Sequence, residues 1–219
     1  MRRIKRGHYK EDEFQSTMHN VVKYIMRHRD VSITVGAILI IGIIALSYFL
    51  SRGEPQIPEA DILHTQAIGL LNMGRFQDAE KVLIDLSTKY QNTRPGKIGL
   101  YYLGVLYYNS AKFDQAIDYF DRFLSKEKKD YLLTPAALFG AGCAAEGMKD
   151  YKKALRYYER IIKDKNSPFY DVAMLACGRL NGLLGNKEKA RKILSELLEK
   201  NPTASIAGDA RFYIGLFNQ

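Results

Sequence analysis

The chain has 219 residues and a formal charge of +9, from 33 Lys and Arg against 24 Asp and Glu. Residues 1–30 hold eight basic against four acidic residues and 60–219 hold 24 against 18, so the excess is spread over mixed surfaces and argues against nucleic-acid binding. With two cysteines, four scattered histidines, no nucleophile beside a base and no glycine-rich phosphate loop, the sequence points away from enzymes, metals and cofactors.

In the first 30 residues, Phe14, Met18, Val21, Val22, Ile25 and Met26 recur at helical spacing, with Lys23, Arg27, His28 and Arg29 between and after them. Glu11, Asp12 and Glu13 fall in the first turn, where the helix dipole favours acids. This predicts a basic amphipathic helix in a cytoplasmic tail, which either lies on anionic lipid or docks on a partner.

Val31 to Leu50 carries no charge. About 20 residues at 1.5 Å each cover the roughly 30 Å hydrocarbon core of a bilayer, so 31–50 is expected to be a single transmembrane signal anchor. Eight basic residues precede it and only Arg52 closely follows, which puts the N-terminus in the cytoplasm and the repeats outside. The long leader, the long apolar run and the absence of a small-x-small site in Phe49-Leu50-Ser51-Arg52 argue against cleavage. Residues 51–59 hold Pro55 and Pro58 and read as a short, stiff linker.

From residue 60 to 219 the chain repeats. Ala79, Ala116, Ala154 and Ala190 are separated by 37, 38 and 36 residues, and twelve residues before each stands Ala67, Gly104, Gly142 or Gly178. Seven residues after each comes Leu86, Phe123, Ile161 or Leu197, and three before comes Phe76, Phe113, Tyr151 or Lys187. Small residues let two antiparallel helices cross closely while large ones fill the space beside the crossing. The turns are Met73-Gly74-Arg75, Ser110-Ala111-Lys112, Met148-Lys149-Asp150 and Gly185-Asn186-Lys187, where Gly and Asn tolerate left-handed backbone. Ile206, Ala210, Tyr213, Ile214 and Phe217 follow at helical spacing and predict a capping helix.

These residues resemble tetratricopeptide repeats, best in Leu100, Leu103-Gly104, Tyr107, Ala116 and Phe120, then in Leu138, Gly142, Ala154 and Tyr158, and in Met174, Gly178, Ala190, Leu194 and Pro202. Gln66-Ala67 makes the first repeat degenerate. The period exceeds the family's, so links such as Lys126 to Leu133 are expected to be long. The expected fold is all-α: an amphipathic helix, the anchor, and a solenoid of four helix pairs with its cap. The resemblance implies a binding scaffold whose groove is lined by Ile68, Leu71, Tyr101, Val105, Tyr108, Phe139, Cys143, Leu175 and Arg179. That stripe is largely apolar and suits a hydrophobic peptide or helix, whereas the Lys, Asn and Arg used by family members that clamp acidic chaperone tails are mostly absent. Two readings stand: an open groove, or a stripe covered by the chain's own helices. Cys143 and Cys177, in neighbouring first helices, read as free buried thiols, with an inter-repeat disulfide as the other reading.

The layout as a whole resembles the YfgM-type ancillary subunit family of the Sec translocon. That resemblance implies a non-catalytic scaffold assisting protein export, with translocon subunits, periplasmic chaperones or exported clients as partners. Other readings are an envelope-assembly or cell-division scaffold, an organelle import receptor with cytosolic repeats, and a homo-oligomer joined through the groove.

Overall fold

The computed structural model describes residues 16–19, 23–24, 26–51, 53–200 and 205–218. The acidic turn at 11–13, the apolar positions Phe14, Val21, Val22 and Ile25, and Pro202 lie outside the described residues. The chain divides into two compact units, Met1–Gly53 and Glu54–Gln219.

In the first unit, helix α1 spans Arg29–Ser51 and exposes Val35, Ile38, Leu39, Ile41, Ile44 and Leu46. The transmembrane anchor expected at 31–50 is not borne out: among the described residues no helix is long and apolar enough to cross a membrane.

The second unit is the repeat solenoid. Its helices are α2 (Pro58–Asn72), α3 (Phe76–Lys89), α4 (Arg94–Asn109), α5 (Phe113–Lys126), α6 (Leu133–Gly147), α7 (Tyr151–Ile161), α8 (Tyr170–Leu183), α9 (Lys187–Lys200) and α10 (Ile206–Phe217). They form the pairs α2/α3, α4/α5, α6/α7 and α8/α9, and α10 packs on α9 and α8. Ala79, Ala116, Ala154 and Ala190 are all fully buried, as are Leu83, Leu86, Phe123 and Leu197. The crossings leave no spare volume. A Cβ at Gly104 would stand 2.7 Å from the Phe120 ring, one at Gly142 2.5 Å from the Tyr158 ring, and one at Gly178 2.5 Å from Leu194.

Each first helix ends in the same device. The N–H of Arg75, Lys112, Asp150 and Asn186 reaches back to the carbonyl of Leu70, Tyr107, Ala145 and Asn181, and the residue before each bonds Leu71, Tyr108, Glu146 or Gly182. This double bond pattern needs one left-handed residue. Gly74 and Gly185 supply it at φ 72° and 87°, but Ala111 and Lys149 supply it at 56° and 62°. An L-residue there costs about 1–2 kcal/mol, which the closure of the helix pair offsets.

First helices also touch the first helix of the next repeat, α2 with α4, α4 with α6, and α8 with α10. Among the described residues no comparable contact joins second helices. The solenoid therefore curves toward its first helices, which form the inner row. The backbones of α6 and α8 are the exception and approach less closely.

Candidate protein-binding face

Along the inner row, Ile68, Leu71, Tyr101, Val105, Phe139, Cys143, Leu175 and Arg179 are all half-buried, and Tyr108 is 37% exposed. They occupy two register positions in successive first helices. One lies three residues before the small crossing residue (Tyr101, Phe139, Leu175) and the other one residue after it (Ile68, Val105, Cys143, Arg179), with Leu71 and Tyr108 a turn further on.

The structure divides these residues by role. Leu71 and Val105 meet Phe76, Tyr102 and Leu106 around an apolar cavity of about 130 Å³ at the α2–α4 end. Phe76 rims that cavity and is 58% exposed. Tyr101 and Phe139 are instead engaged by their own solenoid. The Tyr101 ring lies 5.9 Å from the rings of both Phe120 and Phe123, and Phe139 sits 5.3 Å from Tyr158 and 5.7 Å from Phe169. Ile68 lies in the same inner row of α2, and Leu175 packs against the buried Tyr170, Met174 and Leu194.

Arg179 does not face an empty groove. Its guanidinium crosses the wider α6–α8 gap and donates to both carboxylate oxygens of Glu146, at 2.8 and 2.7 Å. The Tyr158 hydroxyl donates to Glu146 Oε1 at 2.8 Å and contacts Cys143 Sγ at 3.4 Å. Burial works to lower the Arg179 pKa, but the hydrogen bond and charge of Glu146 outweigh it and the net direction is up. Burial pushes the phenol of Tyr108 up, helped by nearby Cys143 and Glu146. Burial likewise raises the thiol of Cys143, and it pushes the thiol of Cys177 up to about 12. Both thiols are free, and such thiols stay protonated and unreactive. Among the described residues no group of acids, His or Cys could hold a metal.

Sequence reasoning missed three residues of this face. Glu146 stands four residues after Gly142, as Leu71 and Tyr108 stand four after Ala67 and Gly104, so the register itself marks it. His64 stands three before Ala67, in register with Tyr101 and Phe139, and burial lowers its pKa. Tyr102, 6.2 Å from His64 between ring centroids, is the third; it lies beside a register position and carried no periodic signal.

The family model described as T7SS, ESX-1 secretion system protein EccA1, N-terminal domain, matches residues 16–211. Among solved structures the chain is similar to a tetratricopeptide repeat protein from Parabacteroides merdae ATCC 43184, at 18% identity and a TM-score of 0.65. That match covers 74% of this chain and 61% of the other, so the chain spans less than two thirds of that protein. It is similar to MamA 41-end from Desulfovibrio magneticus RS-1, at 17% identity and a TM-score of 0.60, covering 76% of this chain and 86% of that one. It is also similar to YrrB, described as a TPR protein with an unusual peptide-binding site, at 16% identity and a TM-score of 0.58, covering 78% and 80%. At these identities the likeness shows the fold alone, a tetratricopeptide-type solenoid. No curated protein matches the chain.

Proposed function

The chain belongs to the family of the N-terminal domain of the T7SS, ESX-1 secretion system protein EccA1, and from that premise we propose that it is a non-catalytic scaffold of a protein-export system, holding a protein partner along its inner row of first helices. The observation that carries this reading is the apolar cavity between Leu71 and Val105. Its volume takes one aliphatic or aromatic side chain, and exposed Phe76 offers aromatic surface at its rim. Anchors of this kind supply most of the energy when an amphipathic helix or peptide docks. The Glu146–Arg179 pair further along gives the face a polar end, which would fix the partner's direction.

The family's secretion system and the resemblance to an ancillary Sec-translocon subunit name different machines but one kind of work, contact with exported proteins, their chaperones or the export apparatus. Leu71→Asp tests the reading, because it places a charge in the cavity while Leu71 is only half-buried in the free protein. Partner proteins co-purified from the native host should fall by about tenfold or more, the loss expected at an interface hot spot, with the thermal unfolding transition retained. An unchanged set of partners at unchanged yield contradicts the proposal.

A further inference from the structure

The links that lengthen the repeats build a second site. The link between α5 and α6 and the link between α7 and α8 enclose a cavity of about 530 Å³, and the Tyr131 hydroxyl donates to the Asn166 carbonyl at 3.0 Å to tie the two together. Lys128 and Lys129 enter it from the first link, Lys163 from the second and Arg160 from the last turn of α7. None of the four is ion-paired among the described residues.

The two acids lining the same cavity are already engaged. Asp130 Oδ1 accepts from the N–H of Leu132 at 3.0 Å and Leu133 at 2.8 Å, and Asp164 Oδ1 accepts from the N–H of Asn166 at 2.9 Å. The corresponding edge one repeat earlier is an internal control. There Lys97 pairs with Glu54 at 2.7 Å and Glu127 at 3.5 Å, and Arg94 reaches Asp130 at 3.4 Å. Lys129 borders both edges; the earlier one pairs its other cations, and the next presents Lys128, Lys163 and Arg160 unpaired around a cavity.

We propose that this cavity binds an acidic peptide segment, whose carboxylates meet Lys128, Lys163 and Arg160 while a neighbouring apolar side chain rests on Pro135, Leu138 and Ile161. Phosphate is the weaker fit. The backbone N–H groups that open α6, which would cradle a phosphate, are filled by Asp130, and the cations are spread along the cavity rather than converging on one point. The lining shares no residue with the candidate groove positions Ile68, Leu71, Tyr101, Val105, Tyr108, Phe139, Cys143, Leu175 and Arg179, so this site stands or falls independently of the groove.

The test is fluorescence anisotropy on the full chain, with a labelled synthetic peptide carrying a run of Glu and a single Leu. Binding should be present at low salt and weaken as salt rises. The double variant Lys128→Glu with Lys163→Glu should weaken it by about tenfold or more, while Lys192→Glu on α9 and Leu71→Asp leave it unchanged. Both reversed lysines are exposed, and an unchanged thermal transition confirms the fold. No binding at low salt, or equal binding by the double variant, overturns the proposal. Inorganic pyrophosphate that binds at these lysines while the peptide does not would overturn it in favour of a phosphate ligand.

Discussion

Phe120→Ala should lower the free energy of unfolding by about 3–5 kcal/mol, the range for removing a fully buried aromatic ring. Phe120 is 1% exposed, and its ring fills the space left by two glycines on different first helices. A Cβ would stand 2.7 Å from it at Gly104 and 2.6 Å from it at Gly140. The ring therefore joins the second helix of one repeat to the first helix of the next, and its loss opens a void between rigid helices. The same geometry predicts a coupling of opposite sign. Gly140→Ala alone should cost about 1–3 kcal/mol by overpacking, yet in the Phe120→Ala background it should be neutral or stabilising, because the methyl enters the void and alanine favours helix. Denaturant unfolding of the four proteins gives the cycle. Additive losses would mean that the ring and the glycine do not share that space.

The second large effect is at Glu146. Glu146→Ala leaves Arg179 without its partner in a site where the two side chains are only 25% and 18% exposed, and it leaves the Tyr158 hydroxyl only the weak sulfur acceptor of Cys143. The expected loss is about 2 kcal/mol, below the cost for a fully buried pair because water still reaches this one. Glu146→Gln keeps an acceptor for Tyr158 and should lose about half as much. Arg179→Ala added to Glu146→Ala should cost little more, since the uncompensated cation has gone. A double variant whose loss equals the sum of the two single losses would show that the pair does not bridge α6 to α8 in solution.

How far the sequence discloses this molecule depends on which residues sterics constrain. Ala67, Gly104, Gly142 and Gly178 are legible because two backbones cannot cross closely over a larger side chain. The turns are half legible: Gly74 and Gly185 announce left-handed backbone, while Ala111 and Lys149 adopt it only because closure of the pair requires it. At the candidate face, period identifies the row but not the depth of each side chain. Tyr101 and Phe139 occupy groove positions, yet their rings lean on Phe120, Phe123, Tyr158 and Phe169, leaving Leu71, Val105 and Tyr108 as the accessible part. The long Lys126 to Leu133 link is readable from the 36- to 38-residue spacing, but the pairing of Asp130 with backbone N–H groups, which leaves the neighbouring lysines uncompensated, exists only in three dimensions. Apolar composition at 31–50 suggested a span that the described helix does not support.

The central claim is that the inner row of first helices holds a protein partner. Its most direct measurement is site-specific photocrosslinking in the native host, with the photoreactive residue at Tyr108 on the inner row and, separately, at the exposed Arg156 of α7. The account predicts adducts with proteins of an export system from Tyr108, absent or much weaker from Arg156 and lost when Leu71→Asp is added. Equal adducts from both positions, or adducts from Tyr108 containing only further copies of this chain, would contradict it.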